Sequence, residues 1–211
     1  EYINLNEEKQ LRHIIDQFLK VELMALTESG LPDDKPTPNK STDINVLEDL
    51  LKKKHNEIGT LMIEPILGNC CSISATQEYM QAVRDLCDKY DIVLIIDEVK
   101  TGFRVAKGGV QELYGIEADL CTFAKSIANG YPIAALCGKE EYMRHIKYGG
   151  VLHGGTFTAH SVAISAANKT LEIIQNTDAL ETVANYGSKL KEGISDILKK
   201  KDIPHSFTGH P

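Results

Sequence analysis

Several features that would settle a function at once are missing from these 211 residues. There is no excess of positive charge: 23 Lys and Arg face 30 Asp and Glu, a net charge of −7. That argues against nucleic acid as a partner. No apolar run approaches the roughly 20 residues of a membrane span, and the amino terminus lacks a signal-peptide pattern, so no membrane partner is expected. The five cysteines, Cys70, Cys71, Cys87, Cys121 and Cys137, show no CxxC spacing. Their simplest reading is a reduced thiol set in a cytoplasmic protein, with no disulfide framework and no metal. Neither a GxGxxG nor a GxxxxGK[ST] loop is present, which leaves a nucleotide-binding domain without its phosphate cradle. No repeat or low-complexity stretch is visible. The chain opens on Glu1-Tyr2-Ile3 without an initiator Met and stops at Gly209-His210-Pro211 after a turn, so it is expected to be a piece of a longer protein.

What is present is an α/β pattern. Hydrophobic content of 42% and charged content of 25% are ordinary for a globular chain. The length suits one sizeable domain and the beginning of a second. Strands are expected at 2–5, 60–63, 92–96, 120–124 and 133–137. The apolar runs at 92–96 and 120–124 read as strands buried on both faces of a parallel sheet. Helices are expected at 7–26, after Asp43, at 77–90, 139–146, 161–175 and 178–200, with a loop over 30–41. Val46, Leu47, Leu50 and Leu51 are the expected buried stripe of the second helix. Ser74 or Thr76 is the expected cap of the third, and Asp178 of the last. Strand, helix and strand over 60–96 predict a βαβ crossover.

Two of the apolar runs end at charged residues, Asp97 and Lys125, 28 positions apart. Ligands of open α/β sheets bind beyond the carboxyl ends of the strands, so both face one rim. An ion pair between them is the simpler account on spacing alone. The chemical account is a lysine amine, partly desolvated, that attacks carbonyls. Pyridoxal phosphate (PLP) needs such a lysine, and a carboxylate that keeps its ring nitrogen protonated.

The surrounding residues carry a resemblance. Ile63-Glu64-Pro65, Gly68-Asn69, Leu94-Ile95-Ile96-Asp97-Glu98-Val99, Thr101-Gly102-Phe103-Arg104, Asp119-Leu120, Lys125 and Gly155-Thr156-Phe157-Thr158 resemble the heart of a class III pyridoxal-phosphate aminotransferase. The stretch from Phe103 to Gly115 is most similar to the glutamate-1-semialdehyde aminomutase branch. The implied fold is a three-layer α/β/α large domain of fold type I, with a mostly parallel sheet, over residues 1–177. The start of a small C-terminal α+β domain would follow over 178–211.

The resemblance also implies roles for individual residues. Lys125 would form the internal aldimine and shuttle the proton, and Asp97 would pair with the ring nitrogen. Val99 would pack on the ring, and Asn69 would reach its hydroxyl. Glu64 would stand near the substrate entrance, while Gly155 and Thr156 would reach the cofactor phosphate of a second subunit. That makes a homodimer with a shared site part of the expectation. Glu98 and Arg104 read as structural neighbours of the site.

Lys100 departs from the family, which usually has Gln or Met there; a role toward the ring or substrate is the expectation tied to it. His160-Ser161 replaces the common Asn-Pro or His-Pro, and no aromatic residue stands at 8–16, where the family's ring-covering segment should fall. The implied activity is transamination between a small-molecule amino donor and a carbonyl acceptor, through a pyridoxamine phosphate intermediate. A glutamate-1-semialdehyde 2,1-aminomutase, or a non-catalytic remnant serving as a dimerisation module, are the alternatives.

Overall fold

A computed structural model of the chain describes residues 43–147 and 150–210. The elements expected at 2–5, 7–26 and 30–41 lie outside the described residues.

Helix α1 spans Ile44–Lys54, and the Asp43 carboxylate accepts the Asn45 N–H at 3.0 Å as its cap. Leu51 is fully buried, with Leu47 and Leu50 packed beside it. Val46 is not part of that stripe: it is 58% exposed. At about 100° per residue, positions 47, 50 and 51 share a face that 46 lies outside. Strand β1 is Thr60–Ile63; a small antiparallel hairpin follows, made of β2 at Ile66–Leu67 and β3 at Ile73–Ser74. Ser74 is thus a strand residue. The hydroxyl of Thr76 caps α2, Gln77–Tyr90, by accepting the Tyr79 N–H at 3.2 Å.

Strand β4 covers Val93–Asp97, helix α3 Gly109–Tyr114 and strand β5 Leu120–Phe123. Strand β6 runs Ala135–Gly138, two residues later than its start was expected. The four-stranded sheet has the order β1-β4-β5-β6, parallel except for the last pair, and includes the expected β1–α2–β4 unit. Helix α4 is a single turn, Glu140–Met143, and not the helix expected to 146. Turn bonds from His145 and Ile146 end it, and the backbone of Val151 returns to pair at Ile146.

The main core joins α1 and α2 to the sheet through Leu51, Met80, Val83, Cys87, Leu94 and Ile96. Each large apolar side chain so buried contributes roughly 1.5–3 kcal/mol. Burial also pushes the Cys87 thiol up to about 11. The strands are not buried on both faces among the described residues. In β4 the alternate residues Leu94 and Ile96 are buried, while Val93, Ile95 and Asp97 are half-buried. Helices α1 and α2 cover one side of that strand, and periodicity of two follows. Cys137, on the edge strand β6, is exposed.

Helix α5, Ser161–Asn176, packs through a small residue: Ala167 meets Phe123, Ile127 and Ala128 in a second core. Helix α6, Ala179–Lys200, buries no residue; Tyr186 and Leu190 of its apolar face are 70% and 64% exposed. Asp178 precedes it without capping through its side chain; the Thr177 hydroxyl accepts the Ala179 N–H instead. Among the described residues no helix is long and apolar enough to cross a membrane.

Candidate active site

The site is built on the carboxyl ends of β4 and β5. Asp97, the last residue of β4, stands opposite Thr122 of β5 in the parallel register. The Thr122 hydroxyl donates to Asp97 Oδ1 at 3.1 Å, and the Val99 N–H donates to the same oxygen at 2.8 Å. The carboxylate is therefore aimed through one oxygen. Val99 is half-buried beside it.

Glu98 faces away. It is fully buried, accepts the Gln111 N–H at 3.0 Å and takes a further bond from the Thr101 hydroxyl. A Cβ on Gly109, at φ 71°, would meet the Glu98 carboxylate at 2.4 Å, so only glycine fits there. The structural role expected for Glu98 holds; Arg104 is exposed.

Lys125 comes three residues after Thr122. Its backbone is left-handed, φ 46°, and opens a one-turn 3₁₀ segment, Lys125–Ile127, that packs on α5 through Ile127. Non-glycine residues reach this region at a cost of about 1–2 kcal/mol, and such residues gather at functional sites. Lys125 lines an open cleft of about 470 Å³ with Ser126, Asn129, Gly130, Tyr131, Pro132 and Ile133. Asp97 is not on that wall. The side chain of Lys125 is exposed, so the desolvation expected of it is not found. The ion-pair account is not found either: among the described residues neither Asp97 nor Lys125 enters one.

The β2–β3 hairpin adds a second edge. Glu64 Oε2 accepts the Gly68 N–H at 3.3 Å, and Asn69 Oδ1 accepts from Lys100 Nζ. Lys100 therefore points at the hairpin tip rather than outward to solvent. Gly155 and Thr156 lie in an exposed turn closed by the Thr158 N–H on the Gly155 carbonyl at 3.0 Å. No hydrogen bond among the described residues brings them to Asp97 or Lys125.

The sequence reading missed a buried cluster at the opposite end of β5. Asp119, 4% exposed, accepts from Arg84 at 2.9 Å, from the Leu94 N–H at 2.7 Å and from Lys139 at 2.7 Å. Arg84 also reaches Asp88 at 2.7 Å, and its Nε is the buried side-chain atom left without a partner among the described residues. Burial pushes the Asp119 carboxyl up, but the bonds from Lys139, Leu94 and Arg84 together hold it below its ordinary value. A signal was available: Arg84 sits among Met80, Val83 and Cys87 on the buried face of α2, where an arginine needs an acid.

The carboxyl ends of two neighbouring parallel strands thus carry an aimed carboxylate, Asp97, and just beyond it a lysine, Lys125, that has no ion-pair partner among the described residues. The chain belongs to the class III aminotransferases: the family described as Aminotransferase class-III matches residues 7–210. It is 40% identical over 200 residues to a glutamate-1-semialdehyde 2,1-aminomutase of Clostridium botulinum, covering 90% of this chain and 47% of that protein. The chain thus spans about half the length of the curated relatives it matches. Its fold is similar to an omega-transaminase from Sphaerobacter thermophilus, with a TM-score of 0.74 and 28% identity over 85% of this chain and 43% of that one. It is also similar to a FumI protein from a Sphingopyxis species in its PLP internal aldimine form. The TM-score there is 0.72, with 30% identity over 80% of this chain and 41% of that one.

Proposed function

We propose that the full-length protein binds pyridoxal phosphate and moves an amino group from a small-molecule donor to a carbonyl acceptor, with Lys125 and Asp97 as its catalytic pair. The observation that carries this reading is the register of Asp97 with Thr122, three residues before Lys125, which has no ion-pair partner among the described residues. When bound, pyridoxal phosphate supplies an aldehyde for a lysine amine and a ring that withdraws electrons from the substrate carbon. The residues present fit that group. Among the described residues Asp97 is held through Oδ1 alone, which leaves Oδ2 to accept a ring N–H and keep it protonated. The Lys125 amine is exposed, free to attack a carbonyl and later to carry a proton.

Val99 offers a branched apolar surface beside Asp97, and Asn69 and Glu64 form the hairpin edge. We assign Gly155 and Thr156 to the phosphate of the cofactor in a second subunit; their exposure supports a homodimer with a shared site. Residues 1–177 belong to the cofactor-binding domain and 178–211 open a smaller one. The five unpaired cysteines support a reducing, cytoplasmic setting.

Mixing the full-length protein with pyridoxal phosphate tests the reading. A visible absorbance band is expected, trapped by borohydride as an adduct on the Lys125 peptide and missing in Lys125→Ala. No band in the full-length protein overturns it. The aminomutase is a second reading, favoured by the relatives of that name at up to 41% identity. Turnover of an amino aldehyde without any second carbonyl substrate selects it over transamination.

A further inference from the structure

We infer that Lys100 is a positioning residue: it fixes the side-chain amide of Asn69 with Nδ2 turned outward, as a donor to an anionic oxygen of the group bound at Asp97 and Lys125. The inference rests on the cofactor reading above and adds to it how one edge of the site is set.

Lys100 follows β4 three residues after Asp97, while Asn69 sits at the tip of the β2–β3 hairpin, 31 residues earlier in the chain. An ammonium group has donors and no acceptor, so it meets only the carbonyl oxygen of an amide. The bond to Asn69 Oδ1 therefore settles which way the amide faces. Nδ2 lies on the far side, and among the described residues it donates to nothing. The positive charge of the neighbouring ammonium favours an anionic oxygen as the acceptor for that donor.

Gly68 is the second observation. A Cβ there would lie 2.0 Å from Lys100 Cδ and 2.7 Å from Nζ. The lysine stem crosses the bare backbone of Gly68 to reach its neighbour Asn69. Gly68 is not among the glycines with positive φ, so turn conformation does not call for it. Clearance for Lys100 does. The Gly68 N–H on Glu64 Oε2, 3.3 Å, anchors the same turn to the end of β1.

The test uses the full-length protein loaded with pyridoxal phosphate. Two quantities are read: the cofactor dissociation constant and the midpoint of the pH-dependent change in its visible absorbance. Lys100→Met, Asn69→Ala and Gly68→Ala are each expected to weaken binding by about threefold to tenfold, the worth of one hydrogen bond. All three shift the midpoint in the same direction. Gly68→Ala is the discriminating variant, because it displaces the lysine stem and leaves both the charge and the amide in the protein.

The double variant Lys100→Met with Asn69→Ala is expected to be no worse than Asn69→Ala alone, and Lys100→Arg to restore most of the wild-type midpoint. Wild-type behaviour of Gly68→Ala beside a shifted Lys100→Met overturns the inference, as does additivity in the double variant. A wild type that forms no visible band sinks the cofactor reading itself. A wild-type band with unchanged variants sinks only the role of Lys100.

Discussion

The two ends of β5 make opposite use of an aspartate. At its start, Asp119 is closed: buried, and bound by Arg84, Lys139 and the Leu94 N–H. Beside its finish, Asp97 of β4 takes two donors, Val99 N–H and the Thr122 hydroxyl, and Lys125, three residues past Thr122, takes no partner, both among the described residues. Charges that answer one another inside the fold hold the sheet together. Charges aimed but left unanswered are available to a ligand. The contrast explains why a carboxylate that looks like a mere strand boundary, Asp119-Leu120, is structural, while the equally plain Asp97 is the candidate catalyst.

The largest effect that would sharpen this contrast is at the closed end. Asp119→Ala leaves the buried Arg84 with only the exposed carboxylate of Asp88, at a cost of about 3–5 kcal/mol in unfolding free energy. Chemical denaturation measures it, and a loss below 1 kcal/mol would break the comparison. The same carboxylate carries part of the acid sensitivity. Its folded pKa is depressed, so its stabilisation is whole above the unfolded value of about 3.9 and is lost as pH falls through the folded one. Unfolding followed from pH 6 downward should therefore show a flatter acid arm in Asp119→Asn than in wild type.

At the open end, stability should hardly register the chemistry. Lys125→Ala is expected within about 0.5 kcal/mol of wild type, although it removes the cofactor adduct entirely. Lys125→Gly should be more stable than Lys125→Ala by about 1 kcal/mol, because the backbone there is left-handed. Equal melting of the two would argue against that conformation. Thr122→Val is the mildest change for the cofactor. It removes one of two donors to Asp97 and should cost about 0.5–1 kcal/mol while loosening the cofactor.

Much of the fold was legible in residue patterns. The α2 stripe from Met80 to Cys87, the strands at 60–63, 93–97 and 120–123, and the small-residue face of α5 all follow from periodicity and volume. Val46 and the short α4 were not, because one-residue phase errors and turn bonds from His145 decide them. Of the candidate site, Asp97 and Lys125 were visible as polar stops after apolar runs. Their lack of an ion pair was not visible, and neither was the hydroxyl of Thr122 on Asp97. Gly155 and Thr156 were named from a motif alone, and the fold leaves them facing solvent.

By itself the sequence determined the order of strands and helices, the residue types at each strand end and the family to which they belong. Those depend on local spacing, which chain chemistry encodes directly. Only the tertiary structure decided which charges met: Arg84 with Asp119 across 35 positions, and Lys100 with Asn69 across 31. Pairings at that range follow from strand register and the packing of α2 and the hairpin on the sheet. No window of neighbouring residues contains them.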